Sequence, residues 1–137
     1  WYSPQNKFEY TRAAKWIRPG DQVLDVGCGV GHFATHIPHA HYVGLRPQES
    51  LHPTINEQNL KLYNDHLSDH AAAHTECYDA VCAFQVLEHV ADPVHFAKEL
   101  LRCLKPGGIL ILGVPSAESY LTQLTNFVLN APPHHMT

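Results

Sequence analysis

Three groups of residues in this chain could do chemistry. The first is Asp25-Val26-Gly27-Cys28-Gly29-Val30-Gly31, an acid followed by three glycines at alternate positions. Glycine at that spacing permits positive φ and lets a ligand approach the backbone closely. The same turn could be only a tight connection, with Asp25 as a local cap. The second group, Gln85-x-x-Glu88-His89, brings an amide, a carboxylate and an imidazole together. An imidazole titrates near neutrality, so His89 could act as a base or position a substrate, or could simply hydrogen-bond nearby backbone. The third group is Arg46 and the pair Asp65-His66, polar residues that follow apolar runs.

Those groups need a scaffold that holds them at one edge. Gln22 to Val26 is β-prone, the glycine loop breaks it, and His32 to Ile37 reads as a short helical stretch. A strand over His41 to Leu45 ends at Arg46, and one over Leu60 to Tyr63 ends just before Asp65. A weak helix is expected between them within 48–58, with Pro53 against it. Residues 64–77 read as a loop carrying one helical turn, and Tyr78 to Phe84 as a central strand buried on both faces.

Asp92-Pro93 supplies a cap and a first-turn proline to a helix whose buried stripe is Val94, Ala97, Leu100, Leu101 and Leu104. Pro106-Gly107-Gly108 ends it, Ile109 to Val114 is a fifth strand, and a last helix is expected over Ser119 to Leu129. Ahead of all these, Phe8, Thr11, Ala14 and Ile17 recur at near-helical spacing before Pro19-Gly20, giving a leading helix over 6–18. Strands alternating with helices imply βαβ units and a doubly wound α/β domain, mainly parallel, with helices on both faces. No repeat or linker divides the chain, so residues 1–137 read as a single domain. Ligands in such folds bind beyond the carboxyl ends of the strands, which makes the glycine loop the first candidate.

Composition narrows the function further. Nine Lys+Arg against 13 Asp+Glu leave a net charge of -4, without the basic excess of a phosphate-backbone binder, so no nucleic-acid partner is expected. No apolar run approaches the roughly 20 residues that a membrane-spanning helix needs. Cys28, Cys77, Cys82 and Cys103 form no C-x-x-C pair and read as reduced thiols in a cytoplasmic setting. The 12 histidines are scattered, which fits a surface bias better than a metal cluster. The first residue is Trp1 rather than Met, and the chain is expected to be a piece of something longer. A nicotinamide site is disfavoured, because G-x-G-x-x-G places its third glycine at position 32, which is His32.

Val23-Leu24-Asp25-Val26-Gly27-Cys28-Gly29-Val30-Gly31 resembles motif I of the class I methyltransferases that use S-adenosylmethionine, an apolar strand running into an acid and G-x-G-x-G. Tyr78-Asp79-Ala80-Val81, Leu87-Glu88-His89-Val90, Asp92-Pro93 and Leu104-Lys105-Pro106-Gly107-Gly108 are similar to that superfamily's later motifs, in order, over roughly residues 21–115. The pattern is nearest to the small-molecule and quinone-type branch. The resemblance implies a Rossmann-like sheet in the order 3-2-1-4-5 and methyl transfer from S-adenosylmethionine to an oxygen, nitrogen or carbon of a small-molecule acceptor, leaving S-adenosylhomocysteine.

It places Asp25 and the Gly27 carbonyl at the cofactor's ammonium, with Gly29 and Gly31 passing beneath its amino-acid end. Asp65 would accept from the adenine amine, with His66 beside the ring, although Asp65 could equally be a solvated loop acid. Cys28, Leu45, Arg46, Phe84 and Gln85 complete the expected cofactor contacts, and His89 would face the methyl group.

Two departures stand out. Where the family has an acid for the ribose hydroxyls, this chain has Gly44-Leu45-Arg46-Pro47. Arginine has five donors and no acceptor, so it cannot replace a bidentate carboxylate. Three outcomes are open: Gln48 or Glu49 takes over the ribose, Arg46 faces solvent or an acidic neighbour, or cofactor affinity is weakened. That last outcome motivates the alternative function, a scaffold domain that binds cofactor weakly or has lost turnover. The second departure is length, since the last two strands of the family's sheet are expected to be missing. Gln85-x-x-Glu88-His89 also resembles the E-x-x-E-H metal segment of small-RNA 2′-O-methyltransferases, but Gln85 replaces the first acid, so no metal is expected.

Overall fold

The computed structural model describes residues 4–47, 53–114 and 135–136, and the following account concerns those residues. In chain order they form α1 (Pro4–Ala14), β1 (Gln22–Val26), a 3-10 turn (His32–His36), β2 (His41–Leu45), β3 (Ile55–Asn56), β4 (Leu60–Tyr63) and α2 (Leu67–Ala73). Then come β5 (Tyr78–Phe84), a second 3-10 turn (Leu87–His89), α3 (Pro93–Cys103), β6 (Leu104–Gly113) and β7 (His135–Met136).

The strands make one sheet in the order β3-β4-β2-β1-β5-β6-β7. The five strands expected from the sequence are its centre, β4-β2-β1-β5-β6, all parallel and in the 3-2-1-4-5 arrangement. Two further strands were not expected. β3 pairs antiparallel with β4, and β7 pairs parallel with β6. Each has two residues, too few for any alternation to show in the sequence.

β3 also corrects the helix expected within 48–58, since Ile55 and Asn56 pair with Leu62 and Lys61 and the rest of that stretch up to residue 52 lies outside the described residues. The helix expected over 119–129 lies outside them too. α1 stops at Ala14, and the chain tightens through i→i−3 bonds from Lys15, Trp16 and Ile17. His32–His36 is likewise a 3-10 turn, and α2 is longer than the single turn expected.

Each face of the sheet is covered. On one face, Val23, Tyr42, Leu62, Ala80, Cys82 and Phe84 pack against Tyr10 and Ala13 of α1 and Phe33 of the 3-10 turn. On the other, Leu24, Val43, Leu45, Val81 and Ala83 pack against Ala71 of α2 and Leu100 and Leu101 of α3. Alternation along β1 explains the split, because successive side chains leave a strand on opposite faces. α3 begins as its sequence suggests, with Asp92 accepting from the His95 backbone N–H at 3.1 Å and Pro93 in the first turn. Burying a leucine such as Leu100 contributes about 1.5–3 kcal/mol.

β6 starts earlier than expected, at Leu104 opposite Tyr78, and returns to register only at Ile109 opposite Ala80. The Pro106-Gly107-Gly108 turn therefore lies within the strand as an irregularity.

Candidate functional site

The carboxyl ends of β2, β1 and β5 lie side by side, with Leu45 opposite Val26 and Ala83 on its other flank. From this edge the glycine loop leaves β1. Gly27, Gly29 and Gly31 have φ of 78°, 59° and 86°, the left-handed region that other residues avoid. Backbone N–H groups of Gly27 and Cys28 both donate to the Leu45 carbonyl, at 2.9 and 3.0 Å, which ties the loop across to β2. The loop then closes through Gly31 N–H to the Cys28 carbonyl, and the 3-10 turn follows.

Beneath the loop, Asp25 is 2% exposed, and Tyr42 donates its hydroxyl hydrogen to Asp25 Oδ2 at 2.5 Å. Burial pushes the Asp25 carboxyl up to about 7, although the Tyr42 bond acts in the opposite direction. No cationic side chain pairs with Asp25 among the described residues. The alternative in which Asp25 is only a local cap gains no support, since its Oδ2 meets a side chain from the neighbouring strand. Cys28 is also buried, and burial raises its thiol to about 12, which disfavours the thiolate. Tyr42 was missed from the sequence; the parallel pairing of β1 with β2 was the only signal that could have found it.

Arg46 lies at the end of β2 and is 4% exposed, so it does not face solvent. Its Nε donates to Asn64 Oδ1 at 2.9 Å, and Nη2 donates to the Pro53 carbonyl at 2.6 Å. Among the described residues its hydrogen-bond partners are an amide and a backbone carbonyl. Gln48 and Glu49, the expected substitutes at the ribose, lie outside the described residues. Asp65 and His66 follow β4 at the same edge and are exposed. His66, with Leu67, Val90 and Phe96, lines a hollow of about 540 Å³ between the starts of α2 and α3.

At the end of β5, Phe84 is buried and Gln85 turns sharply, with φ 56°. Its N–H donates to the Gly113 carbonyl at 2.7 Å, and its side-chain Nε2 donates to Glu9 Oε1 at 2.7 Å. Glu9 is a second residue that sequence reasoning missed. Beyond it, His89 closes the 3-10 turn with its side chain 77% exposed and Nε2 3.6 Å from Glu88 Oε1. The structure thus brings the glycine loop, Asp25, Leu45, Arg46, Phe84 and Gln85 together at three adjacent strand ends, while His89 stands outside that group in the open. Among the described residues no cluster of three or more metal-ligating side chains occurs.

A parallel sheet that reverses order at β1, with a left-handed glycine loop over a buried acid at that point, defines the class of Rossmann-like α/β domains that bind a ligand at the switch point. The chain belongs to the methyltransferase domain family, whose profile matches residues 4–136. A ubiquinone biosynthesis O-methyltransferase from Vibrio vulnificus is 35% identical over 97 residues, covering 65% of this chain and 41% of that protein. The chain therefore spans about two fifths of the length of such relatives.

Among solved structures, the TYW2 protein of P. horikoshii in complex with MeSAdo aligns with a TM-score of 0.65 at 21% identity, over 93% of this chain and 53% of that one. A SAM-dependent methyltransferase from Thermotoga maritima aligns with a TM-score of 0.62 at 24% identity, over 88% and 57%. At those identities the structural likeness speaks for the fold.

Proposed function

We propose that this chain binds S-adenosylmethionine over the glycine loop and forms the cofactor half of an enzyme that methylates an oxygen, nitrogen or carbon of a small-molecule acceptor. The observation that carries this reading is the pairing of three left-handed glycines with a buried acid that has no cation beside it. A buried carboxylate without a counter-charge is costly, and a ligand ammonium would relieve that cost.

Under this reading Gly27, Cys28, Gly29 and Gly31 carry the amino-acid end on their backbone, and Asp25 meets the ammonium. Leu45 fixes the loop through its carbonyl, Phe84 and Gln85 close the other side, and Asp65 and His66 serve the adenine. The hollow beside His66 supports that last placement. When bound, the cofactor supplies a methyl group on a sulfonium, already a good leaving group. The protein's share is then orientation and the exclusion of water. A base is needed only where the acceptor holds a proton. His89 would be that base or would position the acceptor, and its exposure leaves the ring free to meet a second molecule.

Calorimetric titration of the full chain with S-adenosylmethionine and S-adenosylhomocysteine tests the reading: micromolar binding is expected, and the absence of heat with both would overturn it. A scaffold domain without turnover is the second reading, favoured by Arg46. Two of its five donors go to Asn64 and Pro53, and it has no acceptor for ribose hydroxyls. Cofactor binding without methyl transfer across a panel of acceptors would support it.

A further inference from the structure

Tyr42 on β2 is 2% exposed, and the cofactor contacts proposed above do not include it. Strand register puts it opposite Val23, while Asp25 stands opposite Gly44. Its hydroxyl therefore crosses to the neighbouring strand on a diagonal, where it donates to Asp25 Oδ2 at 2.5 Å. A side chain as long as tyrosine's spans such a diagonal. The same hydroxyl meets the Cys28 side chain of the glycine loop. Gly44 leaves the room for that thiol, since a Cβ there would stand 2.6 Å from Cys28 Sγ. Tyr42 thus joins the acid of β1 to the loop that follows it.

Burial, with the carboxylate beside it, holds the phenol well above its ordinary range, so it keeps its hydrogen and remains a donor. Burial also favours the neutral form of Asp25, and the Tyr42 bond acts against it. The other titratable groups near the pair are Cys28, Cys82 opposite Asp25 on β5, and Arg46 at the end of β2. Burial raises both thiols, so neither adds a charge beside the carboxyl near neutrality, and the Arg46 guanidinium acts on Cys28 rather than on Asp25. α1 and the first 3-10 turn cover this face and carry Glu9, Tyr10, Arg12, His32 and His36. β4 sets the apolar Leu62 opposite Gly44.

We propose that Tyr42 is a positioning residue of the cofactor site: its hydroxyl fixes the Asp25 carboxylate and holds it ionised for the ammonium of the cofactor's amino-acid end. The proposal rests on the cofactor reading above, and its test separates the two. Proton and ammonium compete for one carboxylate, so a cofactor that binds protonated Asp25 sends that proton to solvent. Tyr42 tips the competition toward the cofactor.

In the test, the full chain is made with carbon-13-labelled aspartate, and the Asp25 carboxyl is titrated by NMR without ligand. Its midpoint is expected about one pH unit higher in Tyr42→Phe than in the parent, the size of one hydrogen bond to a charged group. S-adenosylhomocysteine is then titrated calorimetrically. With the parent midpoint at about 7, that shift predicts binding weaker in Tyr42→Phe by about tenfold at pH 6 and about fivefold at pH 7, with parity to within about twofold at pH 9. 5′-Methylthioadenosine lacks the amino-acid end and should bind parent and variant equally at every pH. A role in packing alone would weaken both ligands by a factor that does not change with pH. 3-Fluorotyrosine at position 42, a more acidic phenol of nearly the same shape, should move the Asp25 midpoint down. The proposal is overturned by an Asp25 titration unmoved in Tyr42→Phe or, should that variant not fold, unmoved by 3-fluorotyrosine. A loss of S-adenosylhomocysteine that is constant from pH 6 to 9, or an equal loss of methylthioadenosine, would also overturn it. If neither nucleoside binds the parent, the cofactor reading falls, and the Asp25 titration alone decides whether Tyr42 holds the carboxylate.

Discussion

Asp25 and Arg46 close neighbouring strand ends, and both are buried, yet the protein uses them in opposite ways. Among the described residues Asp25 has one neutral hydrogen-bond partner, the Tyr42 hydroxyl, and no cation beside it, and burial pushes its carboxyl up to about 7. Arg46 has spent two of its donor groups on Asn64 and the Pro53 carbonyl, tying the end of β2 to the chain on either side of β4. A buried acid held by one neutral donor leaves a place for a ligand cation, whereas a buried guanidinium held by two acceptors from neighbouring segments points to architecture. The first reads as binding machinery, the second as a clamp at the position where the family resemblance led to the expectation of an acid.

The sharpest test of that contrast is Arg46→Glu. If Arg46 is a clamp, the carboxylate would face two acceptors, and the fold should lose about 3 kcal/mol in urea denaturation, with no gain in cofactor affinity. Tighter S-adenosylmethionine binding with unchanged stability would make Arg46 a mere substitute for the ribose acid. Next in size, Gly29→Val should cut S-adenosylhomocysteine affinity by a hundredfold or more, about 2.7 kcal/mol, because a β-branched residue resists φ of 59° and fills the approach. Its circular dichroism should remain that of a folded chain.

Asp25→Asn should weaken the cofactor by more than tenfold, about 1.4 kcal/mol, and should also change the pH dependence. Because the folded-state value is raised, between about pH 4 and 7 the folded protein holds a proton that the unfolded chain has released. This group therefore makes stability fall as pH rises through that window, by up to about 1.4 kcal/mol per pH unit. Urea midpoints across that range should show the slope in the parent and lose it in Asp25→Asn. Cofactor affinity should rise with pH through 7 in the parent only. The smallest effect is expected at His89→Ala, within about 0.5 kcal/mol in stability because the side chain is exposed. Any loss would appear in turnover alone.

What could be read in advance follows from how each signal is encoded. The apolar runs of β1, β2, β4 and β5 are complete within four to seven residues each, and the strands appear where those runs lie. The Asp92 cap with Pro93 and the glycine loop are equally local. Elements too short to carry a period were missed, namely β3 and β7, and the 3-10 geometry of the turn after the loop was invisible because its composition is that of a helix.

The chain by itself determined the fold class and the edge from which the glycine loop leaves the sheet, since period-2 and period-3.6 patterns and turn chemistry act over a few residues, while the strand order at the centre came from the family resemblance alone. Only the tertiary structure decided which polar groups are buried and whom they meet. Tyr42 reaches Asp25 over 17 positions, Arg46 reaches Asn64 over 18, and Gln85 reaches Glu9 over 76. Such pairings depend on strand register and on how α1 docks against Phe84. Both are set by the burial of whole faces against one another, which no local pattern records.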